Sequence, residues 1–322
     1  MNLFLTSAYP YHHSQNFAVS WLKESARLDT FKEHSVSDDP DAADIILFTE
    51  HHPPEDPYFF KVLKNDLYKQ YPHKSILYTD IDKPLPLLPS ILPSIESRYY
   101  RKRLVRSGPY IAKQYKNESV LFREESTERE FLFSFIGAAR THTIRQRILD
   151  LNYSNSFVKD SSAINLWELD SNTKKIVEKE YADVSLNSHF ILCPRGEGVN
   201  SYRLYEAMEM GITPVIISDD WVPMRGPDWD EFSLRVAEKD IQEIPDILLE
   251  KKGEARKMGR LARKNWEMWF SKEVCFHHIA CMCEDLMKSR ESGINKKVYT
   301  YSQFLRPFHT RNLLRFYKNS LL

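Results

Sequence analysis

Arg195, Gly196, Gly198, Ser201, Arg203 and Glu206 follow one another closely in this chain. Two guanidiniums can grip a phosphate with paired N–H donors. Glycines let a backbone come close to a ligand. A carboxylate such as Glu206 cannot hold phosphate, but it can accept hydrogen bonds from ribose hydroxyls. The set therefore suits a phosphorylated nucleoside. It also suits an ordinary loop, with Arg203 and Glu206 forming a surface ion pair of little worth. Neither a Walker lysine with its Ser or Thr nor the dinucleotide glycine fingerprint is present.

Three elements must position these side chains. The apolar run Phe190 to Cys193 predicts a buried strand. Pro194 to Asn200 is a loop, and Asn200 or Ser201 caps a helix that ends at Gly211. Leu204, Ala207 and Met208 share one face of that helix. Pro214 to Ile217 is the next buried strand, with its proline at the start, where a missing N–H is tolerated. Strand, loop, helix and strand make a parallel pair in an open α/β sheet. Ligands bind at the carboxyl ends of such strands, where this loop lies. The helix start adds free N–H groups and a positive dipole end, both of which favour phosphate.

The block Cys193 to Ile217 resembles the exostosin-like glycosyltransferases of the GT47 type. The shared pattern is Pro194-Arg195-Gly196, Ser201-x-Arg203, Glu206-Ala207 and a small-residue turn before Pro214-Val215. The resemblance continues through Ser218, Asp219, Asp220 and Trp221 to Trp229, Phe232 and Ser233. It runs from about Phe131 to Ile247 and weakens before that. It implies a GT-B fold, with two Rossmann-like α/β domains facing a central cleft. It also implies transfer of a sugar from a nucleotide-diphosphate sugar to a saccharide acceptor, with inversion and without metal or other cofactor. On that reading Gly137 and Arg140 face the donor pyrophosphate, with Arg145 a further candidate. Arg195, Arg203 and the helix start at Ser201 stabilise the leaving diphosphate, and Glu206 holds the ribose. Asp220 and Trp221 either contact the donor sugar or base or only shape their loop.

Single-displacement transfer also needs a base for the acceptor hydroxyl. Polar residues that follow the N-terminal strands are the candidates: Glu50, His51, His52, Asp80, Asp82, His12 and His13. Asp80 and Glu50 come soonest after buried strands and rank first. Two other readings compete. Asp80 and Asp82 form an Asp-x-Asp after a strand, as in a metal-dependent GT-A transferase holding Mn²⁺ or Mg²⁺ under a diphosphate. A degenerate domain that binds a glycan or nucleotide without chemistry is the other.

The remaining sequence sets the frame. At 322 residues the chain has room for two domains. Its 45 basic and 45 acidic residues balance, so nucleic acid is not an expected partner. The N-terminus lacks a signal-peptide pattern, no stretch reaches membrane-spanning length, and a cytoplasmic enzyme is expected. Cys193, Cys275, Cys281 and Cys283 read as reduced structural thiols, because no local His/Cys spacing matches a zinc site. Strands are expected at Asn2–Thr6, Ile45–Phe48 and Ser75–Tyr78, with a helix from Asp56 to Tyr71. Pro84 to Pro93 is extended. Tyr99 to Arg106, basic and aromatic, lines an acceptor groove or forms a solvated loop. Residues 1–122 form the acceptor-side domain and Arg123 to Glu130 a hinge. Residues 131–290 form the nucleotide-sugar domain. The basic, aromatic tail 291–322 is expected to pack back on the body, in preference to a membrane surface bearing lipid-linked acceptors.

Overall fold

Leu3 and Leu5 alternate with less buried neighbours along β1 (Asn2–Thr6), as a strand at one side of a core requires. β3 (Ile45–Glu50) and β4 (Ser75–Thr79) are buried at every residue, which fits parallel strands covered on both faces. The structure, a computed structural model, describes residues 1–9, 17–51, 56–82, 84–111, 116–123, 128–164, 168–289, 298, 301–302 and 304–320. The chain divides into two units, residues 1–112 with 272–322, and residues 113–271.

In the first unit the described strands form one parallel sheet, ordered β2-β1-β3-β4-β5-β6. Three of these are short: β2 (Ser35–Ser37), β5 (Ser90–Ile91) and β6 (Val105–Arg106). The proline-rich segment is extended as expected, but it also enters the sheet. Ser90 and Ile91 find a register between the prolines and pair with β4 and β6. Of Tyr99 to Arg106, residues 101–103 are exposed, as in a solvated loop, whereas Arg106 does not meet solvent. It is buried, and its Nε donates to Asp285 at 2.6 Å. The expected single helix from Asp56 to Tyr71 is two, Phe60–Lys64 and Asp66–Gln70. Asn65 breaks it: its backbone is extended, and its side chain accepts from Leu67 N–H at 2.9 Å, capping the second helix.

The helix Lys272–Lys288 belongs to this first unit, whereas the sequence reading placed it with the second. Its apolar face explains the placement. Cys275, Phe276, Ile279, Ala280, Cys283 and Leu286 are buried in one core with Leu3, Leu5, Leu22, Ile45 and Leu47. Ser25, on the helix Phe17–Leu28, donates to Lys272 O at 2.6 Å and ties the two helices. The preceding helix ends at Trp269 and the units divide after Ser271, so a helical stretch that reads continuously in sequence is divided between units. The hinge expected at Arg123 to Glu130 falls partly outside the described residues, and it lies within the second unit, which begins at Lys113.

The C-terminal helix Pro307–Ser320 packs within the same unit. His309 is buried, with Nε2 at 3.0 Å from Tyr99 Oη, and its carbonyl accepts from Tyr58 Oη at 3.1 Å. The Phe304 ring meets Tyr58 edge-on at 5.1 Å.

The second unit holds a parallel sheet ordered β11-β10-β9-β7-β8 among its described residues. Its strands are β7 (Phe131–Gly137), β8 (Ser156–Asp160), β9 (Ser188–Pro194), β10 (Thr213–Ile217) and β11 (Leu234–Arg235). Phe133, Phe135, Phe190, Leu192, Val215 and Ile217 build the core on one face with Ile144, Ile148 and Ile244. Each unit is thus a Rossmann-like α/β layer structure, as the sequence leads one to expect.

Candidate nucleotide-sugar site

β10, β9 and β7 are neighbours and parallel, so their carboxyl ends lie side by side. The helix Tyr202–Met210 starts from the loop after β9. Ser201 caps it, its Oγ accepting from Arg203 N–H at 3.4 Å. Gly211 closes it in the left-handed region at φ 74°, where a side chain would be strained. The loop itself is tightly held. Arg195 N–H donates to Ile217 O at 3.0 Å, Gly196 N–H to Gly198 O at 3.1 Å, and Ser218 Oγ to Val199 O at 2.6 Å.

Arg203 lies where the spacing placed it, in the first helical turn. It reaches the end of β7, donates to Ile136 O, and lies over the Phe135 ring at 4.9 Å. Gly137 makes this possible: a Cβ there would stand 2.8 Å from Arg203 Nη2 and 2.8 Å from the Phe135 ring. The Nε of Arg203 is buried and has no partner among the described residues. Arg195 shows the same feature: its Nε is also buried and unpartnered, and its Nη1 is only at ion-pair range of Asp220 (3.8 Å) and Glu238 (3.9 Å). Two buried guanidinium N–H donors without acceptors are costly unless an anion meets them.

Arg145 serves as scaffold. It is buried, and its Nε donates to Arg195 O at 2.9 Å, with Nη1 and Nη2 on Ala138 and Pro194 carbonyls at 3.3 and 3.4 Å. A Cβ on Gly196 would lie 2.8 Å from its guanidinium, so the loop passes close at a glycine. Arg140 is exposed in a short 3₁₀ turn, its N–H on Ser162 Oγ at 3.4 Å. Gly198 stands in the loop as the acceptor for Gly196. Glu206 accepts from Tyr181 Oη at 2.8 Å, and Tyr181 is a partner the sequence did not suggest. Burial, then the charge of Glu206, keep that phenol well above its ordinary pKa, so it remains a donor. The Cys193 thiol, pushed up to about 12 chiefly by burial, is neutral packing.

Asp220 is half exposed beside Arg195. Trp221 is different. Its side chain is buried against Trp229, edge-on at 5.1 Å, and under Arg235 at 5.7 Å, so it shapes the loop from within. Glu238, near Arg195, was not foreseen; its N–H donates to Asp219 Oδ1 at 3.0 Å and its Oε1 accepts from Asp219 N–H at 3.2 Å, which clips the loop. Only folding brings it there.

In the first unit, β3 and β4 run in register with Glu50 opposite Thr79, which sets His51 beside Asp80. Glu50 is fully buried and accepts from Ser7 Oγ at 2.6 Å and Ala8 N–H at 2.7 Å. That engagement suits turn-building. Asp80 is buried too, but its oxygens lie 2.8 and 3.0 Å from His51 Nδ1, and the His51 side chain is 29% exposed. Asp82 is exposed. His12, His13 and His52 lie outside the described residues.

The family model of the Exostosin GT47 domain matches residues 89–251, just over half of the 322. This chain belongs to the exostosin GT47 family. The matched exostosin GT47 range takes in Gly137, Arg195, Arg203, Glu206 and Trp221; Glu50, His51 and Asp80 precede it. The chain is similar to the Exostosin-1 homolog of Caenorhabditis elegans, 31% identical over 155 residues, 44% of this chain and 40% of that protein. It resembles the probable beta-1,4-xylosyltransferase IRX10 of Arabidopsis thaliana, 48% identical over 61 residues, 18% of this chain and 15% of that protein. Ribitol-5-phosphate xylosyltransferase 1 of Mus musculus is 31% identical over 91 residues, 28% of this chain and 20% of that protein. These matches span less than half the length of the relatives. Among solved structures, the crystal structure of TarM is similar at 11% identity and a TM-score of 0.42, over 77% of this chain and 55% of that one.

Proposed function

We propose that this exostosin GT47 chain is a glycosyltransferase that moves a sugar from a nucleoside-diphosphate donor to a saccharide acceptor. The observation that carries the reading is the pair of buried Nε–H donors, without partners among the described residues, of Arg195 in the loop and Arg203 in the first turn of the helix Tyr202–Met210. An anion that bridges the helix N-terminus and both guanidiniums would satisfy them. As the glycosidic bond breaks, negative charge grows on the leaving diphosphate, and donors already aimed at it stabilise that charge without reorganisation. Glu206, fixed by Tyr181, supplies the ribose acceptor.

On the acceptor side, His51 backed by Asp80 makes a better base than Glu50. The carboxylate orients the ring and stabilises the imidazolium that forms when the hydroxyl proton is taken. Such a base suits a single inverting displacement. Arginines and a helix dipole would serve the leaving group in place of a metal ion. Similar proteins bear the names of xylosyltransferases, so nucleotide-activated xylose heads the donors to assay.

The test is thermal stabilisation by UDP, GDP and other nucleoside diphosphates, repeated in EDTA. Stabilisation by one base, kept in EDTA and lost in Arg203→Ala, supports the reading. Stabilisation that needs Mn²⁺ or Mg²⁺ favours a metal-dependent transferase. No response to any nucleotide sinks it.

A further inference from the structure

His34, His277 and Cys281 bring three metal-ligand atoms within 4.8 Å of one another, in the first unit. His277 and Cys281 stand four positions apart on the helix Lys272–Lys288, and so share a face. His34 comes from the residue just before β2, 247 positions from Cys281. Both imidazole Nε2 atoms lie 3.5 Å from the one Sγ. Zn–S of about 2.3 Å and Zn–N of about 2.1 Å at a tetrahedral angle would set S and N about 3.6 Å apart.

Ligation through Nε2 leaves each ring's proton on Nδ1, and the Nδ1 atoms of His34 and His277 are buried and unpartnered among the described residues, so the ion's binding must outweigh that cost. The second sign is Asp29, 1% exposed. Its Oδ2 accepts from Lys32 N–H at 2.9 Å, while its Oδ1 is buried with no partner among the described residues. Asp29 stands two residues before Phe31, whose ring stacks on His277. One divalent ion, one thiolate and the Asp29 carboxylate would sum to neutrality.

We propose that His34, His277 and Cys281 form a binding site for a zinc-class divalent ion, with a fourth position open to water. Two imidazoles and a thiolate select a borderline-soft transition ion over Mg²⁺ or Ca²⁺. Bound, the ion clips edge strand β2 to the helix Lys272–Lys288. Phe31, stacked on the His277 ring at 3.8 Å, covers one side. The site shares no residue with the nucleotide reading, so the two stand or fall separately.

The experiment titrates the full chain, stripped with chelator, with Co²⁺. One equivalent should bind with thiolate-to-cobalt charge-transfer absorption and the visible bands of a tetrahedral ion, and Zn²⁺ should displace it and raise the melting temperature. Cys281→Ser should abolish the charge-transfer band, and His34→Gln should weaken binding by more than about 100-fold. His34 is only partly buried, so that variant keeps the test open if Cys281→Ser does not fold. His278→Gln, a neighbouring ring outside the cluster, should bind as the parent does. Absence of the charge-transfer band in the parent chain overturns the proposal. So does binding unchanged by His34→Gln.

Discussion

Arg203 does two things in this structure. It lies over Phe135 and donates to Ile136 O, and it leaves a buried Nε without a partner among the described residues. If that donor meets the leaving diphosphate, it matters more in the transition state than in the ground state. Arg203→Ala is expected to lower turnover by about two to three orders of magnitude, the scale for losing one such stabiliser. Arg203→Lys should recover little, because an ammonium cannot make the two-pronged contact. Turnover read beside the melting temperature decides; a folded mutant with parental turnover removes Arg203 from the site. Glu206→Gln should weaken nucleotide binding by about 1–3 kcal/mol if ribose hydroxyls meet the carboxylate. Isothermal titration checks it, and unchanged affinity would leave Glu206 a structural partner of Tyr181. For the base, His51→Ala should cut turnover by about 10²-fold or more while nucleotide affinity holds. A parallel loss in Glu50→Gln with His51→Ala active would move the role to Glu50.

The helix Tyr202–Met210 depends on how its far end is packed. Gly211 leaves the helix in the left-handed region, and the helix Ala255–Trp269 lies directly against that turn. A Cβ on Gly259 would come 2.3 Å from Gly211 O, a backbone atom that cannot step aside. Gly259→Ala should therefore destabilise the protein by about 1–3 kcal/mol despite alanine's better helix propensity. Chemical denaturation measures it. A neutral or stabilising result would mean that the two helices separate at no cost. Because the Arg203 end of the same helix sets the site, some loss of nucleotide affinity should accompany the stability loss.

At the scale of the whole molecule, the C-terminal segment returns to the unit that the N-terminus begins. His309 anchors it among Tyr58 and Tyr99. Burial, then the charges of Arg306 and Arg98, lower its pKa to about 4 from an ordinary 6.5. The neutral ring is the one that fits. Docking of the segment is therefore fully supported above pH 6.5 and weakens as pH falls toward 4, because the undocked histidine takes up a proton first. Hydrogen exchange of the helix Pro307–Ser320 should accelerate between pH 7 and 5 beyond the intrinsic rate. His309→Gln should lose that pH dependence. An exchange profile flat in pH for the parent chain would refute it.

Much of the site was legible in local sequence, because a strand–loop–helix unit is a local object. The apolar run before Arg195, the cap at Ser201 and the glycine at 211 fall within one short stretch, and backbone chemistry at each dictates the turn. The alternation of strands and helices likewise determined two parallel-sheet units. What the sequence could not decide were contacts made across long separations. Arg203 and Glu206 read as a possible pair at three positions apart, yet folding gave each another partner, Ile136 O and Tyr181. Trp221 read equally as sugar platform or packing until the Trp229 ring closed over it. His51 gained its carboxylate only when β3 and β4 came into register. The apolar face of the helix Lys272–Lys288 would suit either core, and only the three-dimensional fit against Leu3 and Leu22 assigned it. No local spacing could show that His34 meets Cys281, because ligand geometry is set by distances in space and the chain between them is free to take any path.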